Sequence, residues 1–155
     1  MITVREISDK KEKQRITRVI LEALTEWFEV EESREQYIKG NAELPFFAAY
    51  NNEETPVGFL SLKETGKDTV EICVTGVLKE YQGKGAGRAL FEKAKEYAVN
   101  AGYLFMQVKT VKMGVYDDYD ATNRFYLSVG FKEFEVIESL WDEANPCQIY
   151  VMYLK

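Results

Sequence analysis

The sequence predicts an α/β domain in which about seven strands are interleaved with helices, and three observations carry that prediction. Short apolar or alternating runs bounded by Gly, Pro, Asn and Asp recur along the chain. Long runs elsewhere place apolar residues at helical spacing. Finally, a strand-patterned run passes into a helix-patterned one through Tyr81-Gln82-Gly83-Lys84-Gly85-Ala86-Gly87-Arg88, with three glycines at the junction. No linker, repeat or low-complexity tract interrupts the 155 residues, so residues 1–155 are expected to form a single domain.

Ile2 to Ile7 alternates and reads as the first strand. Ser8 and Asp9 offer caps for a charged run reaching Phe28, in which Ile16, Ile20, Ala23, Leu24 and Trp27 mark one amphipathic face. Ser33 and Gln36 have capping-box spacing, which predicts a short helix from there to about Gly40. Pro45 to Tyr50 and Val57 to Lys63 read as strands around the polar turn Asn51–Thr55, and Gly66-Lys67-Asp68 turns the chain into a strand over Thr69 to Val77. After the glycine cluster, Leu90, Ala94, Tyr97, Ala98 and Ala101 describe a helical face that Gly102 stops. Tyr103 to Val111 is a strand and Tyr119 to Val129 a short helix ended by Gly130. Phe131 to Trp141 and Cys147 to Leu154 complete the strands around a turn holding Asn145-Pro146.

Composition narrows the chemistry. Twenty Lys plus Arg against 26 Asp plus Glu give a net charge of -6, which argues against a general nucleic-acid or anionic-membrane binder and suits a cationic substrate. No basic-then-apolar leader opens the sequence and no run is long and apolar enough to span a bilayer, so a cytoplasmic protein is expected. Two cysteines make no disulfide framework, and the absence of histidine excludes a Cys/His zinc site along with Ser-His-Asp and Cys-His catalysis. Any general base is then a carboxylate, a tyrosine, a lysine or a relayed water, and no metal is expected.

The glycine cluster has the chemistry of an anion cradle. Glycines let the backbone turn tightly beside a ligand, and the first N–H groups of the following helix lack intrahelical partners at the positive end of its dipole. The P-loop pattern fails because Arg88-Ala89 follows Gly87 where Lys-Ser/Thr is needed, and Gly83-x-Gly85-x-Gly87 is too tight for the dinucleotide pattern. What matches is Gln/Arg-x-x-Gly-x-Gly/Ala, at Gln82 to Gly87. Together with Phe125-Tyr126-Leu127-Ser128-Val129-Gly130-Phe131, which looks like a later Tyr-x-x-x-Gly-Phe signature, the sequence resembles the GCN5-related N-acetyltransferase (GNAT) superfamily over nearly its whole length, thinly before Pro45.

That resemblance implies a mixed, mostly antiparallel sheet of about seven strands with helices on both faces, split near Val74 to Val77 to admit acetyl-coenzyme A as co-substrate. It assigns the cofactor to the amides of Val77, Gln82, Gly83, Lys84, Gly85, Ala86, Gly87 and Arg88; the alternative for Lys84 and Arg88 is a solvated helix start. It implies acetyl transfer to a primary amine of a small molecule or peptide by direct attack. Glu71, eleven positions before Gln82, stands where some members carry a catalytic glutamate; its alternative is a strand glutamate facing solvent or pairing with a lysine. Tyr126 matches the tyrosine that protonates the departing thiolate in many members, its alternative being a core tyrosine, and a backbone N–H near Val77 would meet the oxyanion. Where an asparagine is common, seven residues before Tyr126, this chain has Tyr119; Asn123 is the nearest asparagine and is assigned a coenzyme contact, against the alternative of a helix-surface residue.

Substrate contacts are expected from the first helices and the last hairpin, at Trp27, Glu31, Glu32, Asp117, Asp118, Trp141 and Asp142, since clustered acids with aromatics suit a cation. A solvated charge run with core tryptophans is the competing reading. Cys147 reads as a buried structural thiol. A homodimer through the aromatic final strands is a further expectation. The rival from another class is a non-catalytic acyl-coenzyme A-binding module that keeps the cradle but not the base.

Overall fold

The computed structural model describes all residues 1–155. Its seven strands are β1 (Thr3–Glu6), β2 (Phe46–Tyr50), β3 (Pro56–Gly66), β4 (Thr69–Val77), β5 (Phe105–Val111), β6 (Lys132–Asp142) and β7 (Asn145–Tyr153). Four helices accompany them: α1 (Lys10–Ala23), α2 (Glu31–Asn41), α3 (Ala86–Asn100) and α4 (Asp117–Ser128). The strands form one sheet in the order β1-β2-β3-β4-β5-β7-β6. The pairs β1–β2, β2–β3, β5–β7 and β6–β7 are antiparallel, and β4–β5 is parallel. This is the mixed, mostly antiparallel sheet expected. The chain gathers into two units, Met1–Lys63 with Cys73–Tyr97 and Glu64–Ile72 with Ala98–Lys155, whose boundaries fall inside β3, β4 and α3 rather than at linkers.

In the first unit the apolar face of α1 makes the core. Ile16, Ile20, Leu21 and Leu24 are buried with Phe46, Ala48 and Tyr50 of β2, Phe59 of β3 and Val74 of β4, and the Phe46 and Phe59 rings stack at 5.4 Å. Alternation along β2 sends Phe47 to the opposite face, where its ring meets Tyr97 of α3 at 5.7 Å. The sheet is thus helix-covered on both faces at β2. Asp9 caps α1 as expected, accepting from the Glu12 N–H at 2.8 Å. The helix stops at Ala23 instead of Phe28, because Leu24 leaves helical geometry (φ −118°, ψ 46°) and its N–H bonds only three residues back, to the Leu21 carbonyl at 3.1 Å.

The start of α2 is a correction. It begins at Glu31 with Val30 as an N-cap that offers no side-chain bond, so Ser33 lies inside the helix and the capping box does not form. Two acids in the first turn favour this earlier start through the helix dipole, and Arg34 Nη1 ties the turn to the Phe28 carbonyl at 2.7 Å. Arg18 holds Glu35 through both nitrogens, at 2.7 and 2.9 Å, and so fastens α1 to α2.

In the second unit β5 pairs with β7 along its length, from Phe105 opposite Tyr153 to Val111 opposite Cys147. Its parallel pairing with β4 runs from Thr69–Phe105 to Glu71–Gln107. Tyr126 of α4 packs edge-on against Phe131 at 5.6 Å and near Tyr150 at 6.2 Å. The last hairpin turns at Glu143-Ala144, a second correction: Asn145 and Pro146 open β7, where the Pro146 carbonyl accepts the Lys112 N–H at 2.9 Å. Proline is tolerated there because the first residues of a strand can forgo a ladder donor.

Candidate active site

The glycine-rich junction leaves β4, passes through a 3-10 turn at Lys79–Tyr81 and enters α3 at Ala86. Gly83 and Gly85 have φ of 74° and 92°, the region L-residues avoid, which is why the loop needs glycine at both positions. The α3 ladder starts with the Ala89 N–H on the Gly85 carbonyl at 3.0 Å, so the N–H groups of Ala86, Gly87 and Arg88 precede it and are not taken up. Residues Gln82 to Gly85 are exposed. Untaken backbone donors at a helix start, next to this exposed run, fit an anion such as a pyrophosphate. One of the expected donors behaves differently. The Gln82 N–H closes the 3-10 turn on the Lys79 carbonyl at 3.2 Å, and the Gln82 side chain donates to the Val77 carbonyl at 2.8 Å, so this residue braces the loop against the end of β4. Lys84 lies 5.9 Å over the Tyr81 ring, whose hydroxyl accepts from Asn51 at 3.0 Å.

In the second unit Glu71 is buried on β4, its side chain 8% exposed, and Oε1 accepts from Lys109 Nζ at 2.7 Å. The lysine pairing is the alternative the sequence had left open. Gln107 stands opposite Glu71 in the register, and Lys109, two residues on, shares its face. The Cys147 thiol is fully buried and pushed up by that burial, with Lys109 opposing and Glu71 reinforcing the effect, as suits an inert structural thiol. Tyr126 is 5% exposed, burial pushes its phenol well above the usual tyrosine range, and its hydroxyl makes no hydrogen bond within the chain.

Asn123 corrects the sequence reading. It is fully buried, its Nδ2 donates to the carbonyls of Val111 (2.8 Å) and Tyr119 (2.6 Å), and its Oδ1 accepts from the Tyr150 hydroxyl at 2.6 Å. With both amide hydrogens engaged it is neither a coenzyme contact nor a surface residue; it ties α4 to β5 and β7.

The expected substrate acids also have local roles. Glu31 and Glu32 occupy the first turn of α2, and Asp117 and Asp118 the first turn of α4, two helices without a side-chain N-cap where negative charge offsets the dipole. Asp142 accepts from Asn145 at 2.8 Å across the last turn. Trp27 packs against the α1 core, and Lys79, itself paired with Glu26, lies 6.0 Å from its ring centroid. Trp141 is 45% exposed on β6. The residue that sequence reasoning did not name is Lys109; its signal was a lysine on the strand parallel to Glu71, legible only once the register is known.

The seven-stranded mixed sheet, with a glycine-rich junction between its fourth strand and third helix, is the fold of the acetyltransferase structures it resembles. The chain belongs to the acetyltransferase (GNAT) family, whose sequence profile matches residues 13–131, and it is an N-acetyltransferase. Solved structures share the fold at low identity. A GNAT-family protein from Desulfovibrio desulfuricans is 18% identical, with all of both chains covered and a TM-score of 0.84. A GNAT acetyltransferase from Staphylococcus aureus is 17% identical over all of both chains, TM-score 0.77. A GNAT acetyltransferase from Elizabethkingia anophelis, with acetyl-CoA bound, is 18% identical, TM-score 0.76, covering 99% of this chain and 98% of its own. No curated protein matches the sequence. No helix is long and apolar enough to cross a membrane.

Proposed function

We propose that the protein transfers the acetyl group of acetyl-CoA to a primary amine of a small molecule or peptide by direct attack. The observation that carries this reading is the loop with φ of 74° at Gly83 and 92° at Gly85 and with untaken N–H groups at Ala86 to Arg88, a fit for the pyrophosphate of the co-substrate. A free alkylamine has a pKa of about 10 and is mostly protonated at neutral pH, so the acceptor must lose a proton before or as it attacks. Glu71 takes that proton, directly or through a water. The amine nitrogen then bonds to the thioester carbonyl carbon, the oxyanion is met by a backbone N–H near Val77, and the C–S bond breaks.

Tyr126 serves the departing sulfur. A phenol held well above its ordinary pKa by burial keeps its proton across the neutral range, while a thiol ionises near about 8.5. Full transfer from one to the other runs uphill. Tyr126 therefore acts as a hydrogen-bond donor that stabilises the thiolate, and solvent completes the protonation. The uncommitted hydroxyl supports this role, since nothing in the chain competes for it.

Release of free coenzyme A thiol, measured over a panel of polyamines, amino sugars, amino acids and peptides, tests the reading. Amine-dependent release with at least one class is expected; silence across the panel overturns it. Glu71→Gln and Tyr126→Phe are expected to lose turnover and keep acetyl-CoA affinity, which separates an enzyme from a mere acyl-CoA binder.

A further inference from the structure

We propose that Lys109 is a positioning residue for acetyl transfer, its ammonium holding Glu71 oriented so that one carboxylate oxygen is fixed and the other receives the acceptor's proton. The proposal rests on the reading of Glu71 as the proton acceptor. Its basis is geometric. Lys109 Nζ holds Oε1 at 2.7 Å, whereas Oε2 accepts no hydrogen bond from the chain. A carboxylate that is 8% exposed has few ways to keep one orientation by solvation, so a single strong partner decides how it points.

The neighbourhood offers no substitute partner. The side chain opposite Glu71 in the parallel register is Gln107, and its Nε2 is turned to Thr65 Oγ1 at 2.9 Å. Glu64, a carboxylate on β3, is held by the Tyr103 hydroxyl at 2.6 Å. From β7 the nearby titratable group is the Cys147 thiol, kept neutral by its burial. Lys109 is itself anchored along β5 by pairing opposite Ile149 of β7, two residues past the last β4–β5 pair, Glu71 with Gln107. The side chain of Lys109 is 27% exposed against 8% for Glu71, so the lysine is the more solvent-exposed member of the pair. An oxygen with no partner in the chain is open to accept a proton from a bound ligand.

A double-mutant cycle in the full chain tests the coupling. Glu71→Gln, Lys109→Met, the double variant and Lys109→Arg are compared for kcat and for KM toward acetyl-CoA and the best amine of the panel. Lys109→Met is expected to lose about tenfold or more in kcat with KM for acetyl-CoA within about twofold, and Lys109→Arg to restore most of it. The double variant is expected to be no slower than Glu71→Gln, because a residue acting through Glu71 has nothing left to position. A double variant tenfold slower than Glu71→Gln overturns the proposal, as does full kcat in Lys109→Met. Should Lys109→Met fail to fold with its unpaired carboxylate, the double variant, which buries no lone charge, and Lys109→Arg still decide the matter. Full turnover in Glu71→Gln refutes the base itself, an outcome distinct from a slow Glu71→Gln with a still slower double variant, which refutes the coupling alone.

Discussion

Gly85→Ala separates the cradle's conformation from its ligand. Gly85 has φ of 92°, and a Cβ built there meets nothing within 4 Å, so the substitution brings backbone strain without a clash. An alanine in that region costs about 1–2 kcal/mol, offset by about 0.4–1 kcal/mol from the lost freedom of the unfolded chain. The net, about 1 kcal/mol, lowers Tm by about 2–4 °C for a chain of this size. Relief of the strain by rotation to negative φ swings the Gly85 N–H out of the cradle. Loss of one backbone bond to a charged phosphate oxygen is worth about 1.5–3 kcal/mol, so acetyl-CoA affinity should fall about tenfold to about a hundredfold by titration calorimetry. Gly102→Ala is the control, since Gly102 follows the other end of α3 with φ of 91° and equally open space. It should show the same Tm loss with unchanged affinity. A Gly85→Ala protein whose affinity stays within twofold of wild type, with Tm lowered, would refute the assignment of this loop to the co-substrate.

Asn123→Ala removes three hydrogen bonds and leaves the Val111 and Tyr119 carbonyls and the Tyr150 hydroxyl unpaired, at a cost of about 3 kcal/mol or more in denaturant titration. KM for acetyl-CoA should not change; a tenfold rise in KM at unaltered stability would return Asn123 to the coenzyme. Tyr126→Phe should leave Tm nearly unchanged because the hydroxyl bonds to nothing in the chain, while kcat drops by about a hundredfold or more. Tyr126 also sets a sign for alkaline stability: its folded pKa is raised, so above about pH 10 the folded state binds more protons than the unfolded one and stability falls as pH rises. Tm measured from pH 9 to 11 should therefore decline less steeply in Tyr126→Phe. Asp117→Asn with Asp118→Asn should cost under about 1 kcal/mol, as expected of first-turn acids, and a large rise in amine KM instead would restore them as substrate contacts.

Much of the fold was legible because its signals are local. The bounds of β4, Thr69–Val77, follow from an unbroken alternation between a turn and the glycine cluster, and Gly102 and Gly130 end their helices with φ of 91° and 114°. The misread boundaries are those where a nonlocal contact outvotes a local motif. Ser33 and Gln36 have the spacing of a capping box, yet first-turn acids and the Arg34 bond to the Phe28 carbonyl start α2 earlier. Asn145-Pro146 has turn composition, but the Pro146 carbonyl is engaged by Lys112 and the residues join β7.

The same division runs through the site. A cradle made of backbone amides is specified by where glycines fall, so Gly83 and Gly85 could be read from spacing alone, with their positive φ as the physical content of the motif. A proton acceptor is specified by what surrounds it. Glu71 and Lys109 lie 38 residues apart in sequence, and only the parallel register of β4 on β5 brings them together. The pair also changes the chemical question asked of Glu71. A glutamate alone in an apolar pocket would draw its function from desolvation; on the reading proposed above, one held through Oε1 by an ammonium would draw it from orientation, with Oε2 as the acting oxygen. Substitutions that keep the positive charge at position 109 should therefore preserve turnover better than substitutions that keep only its size.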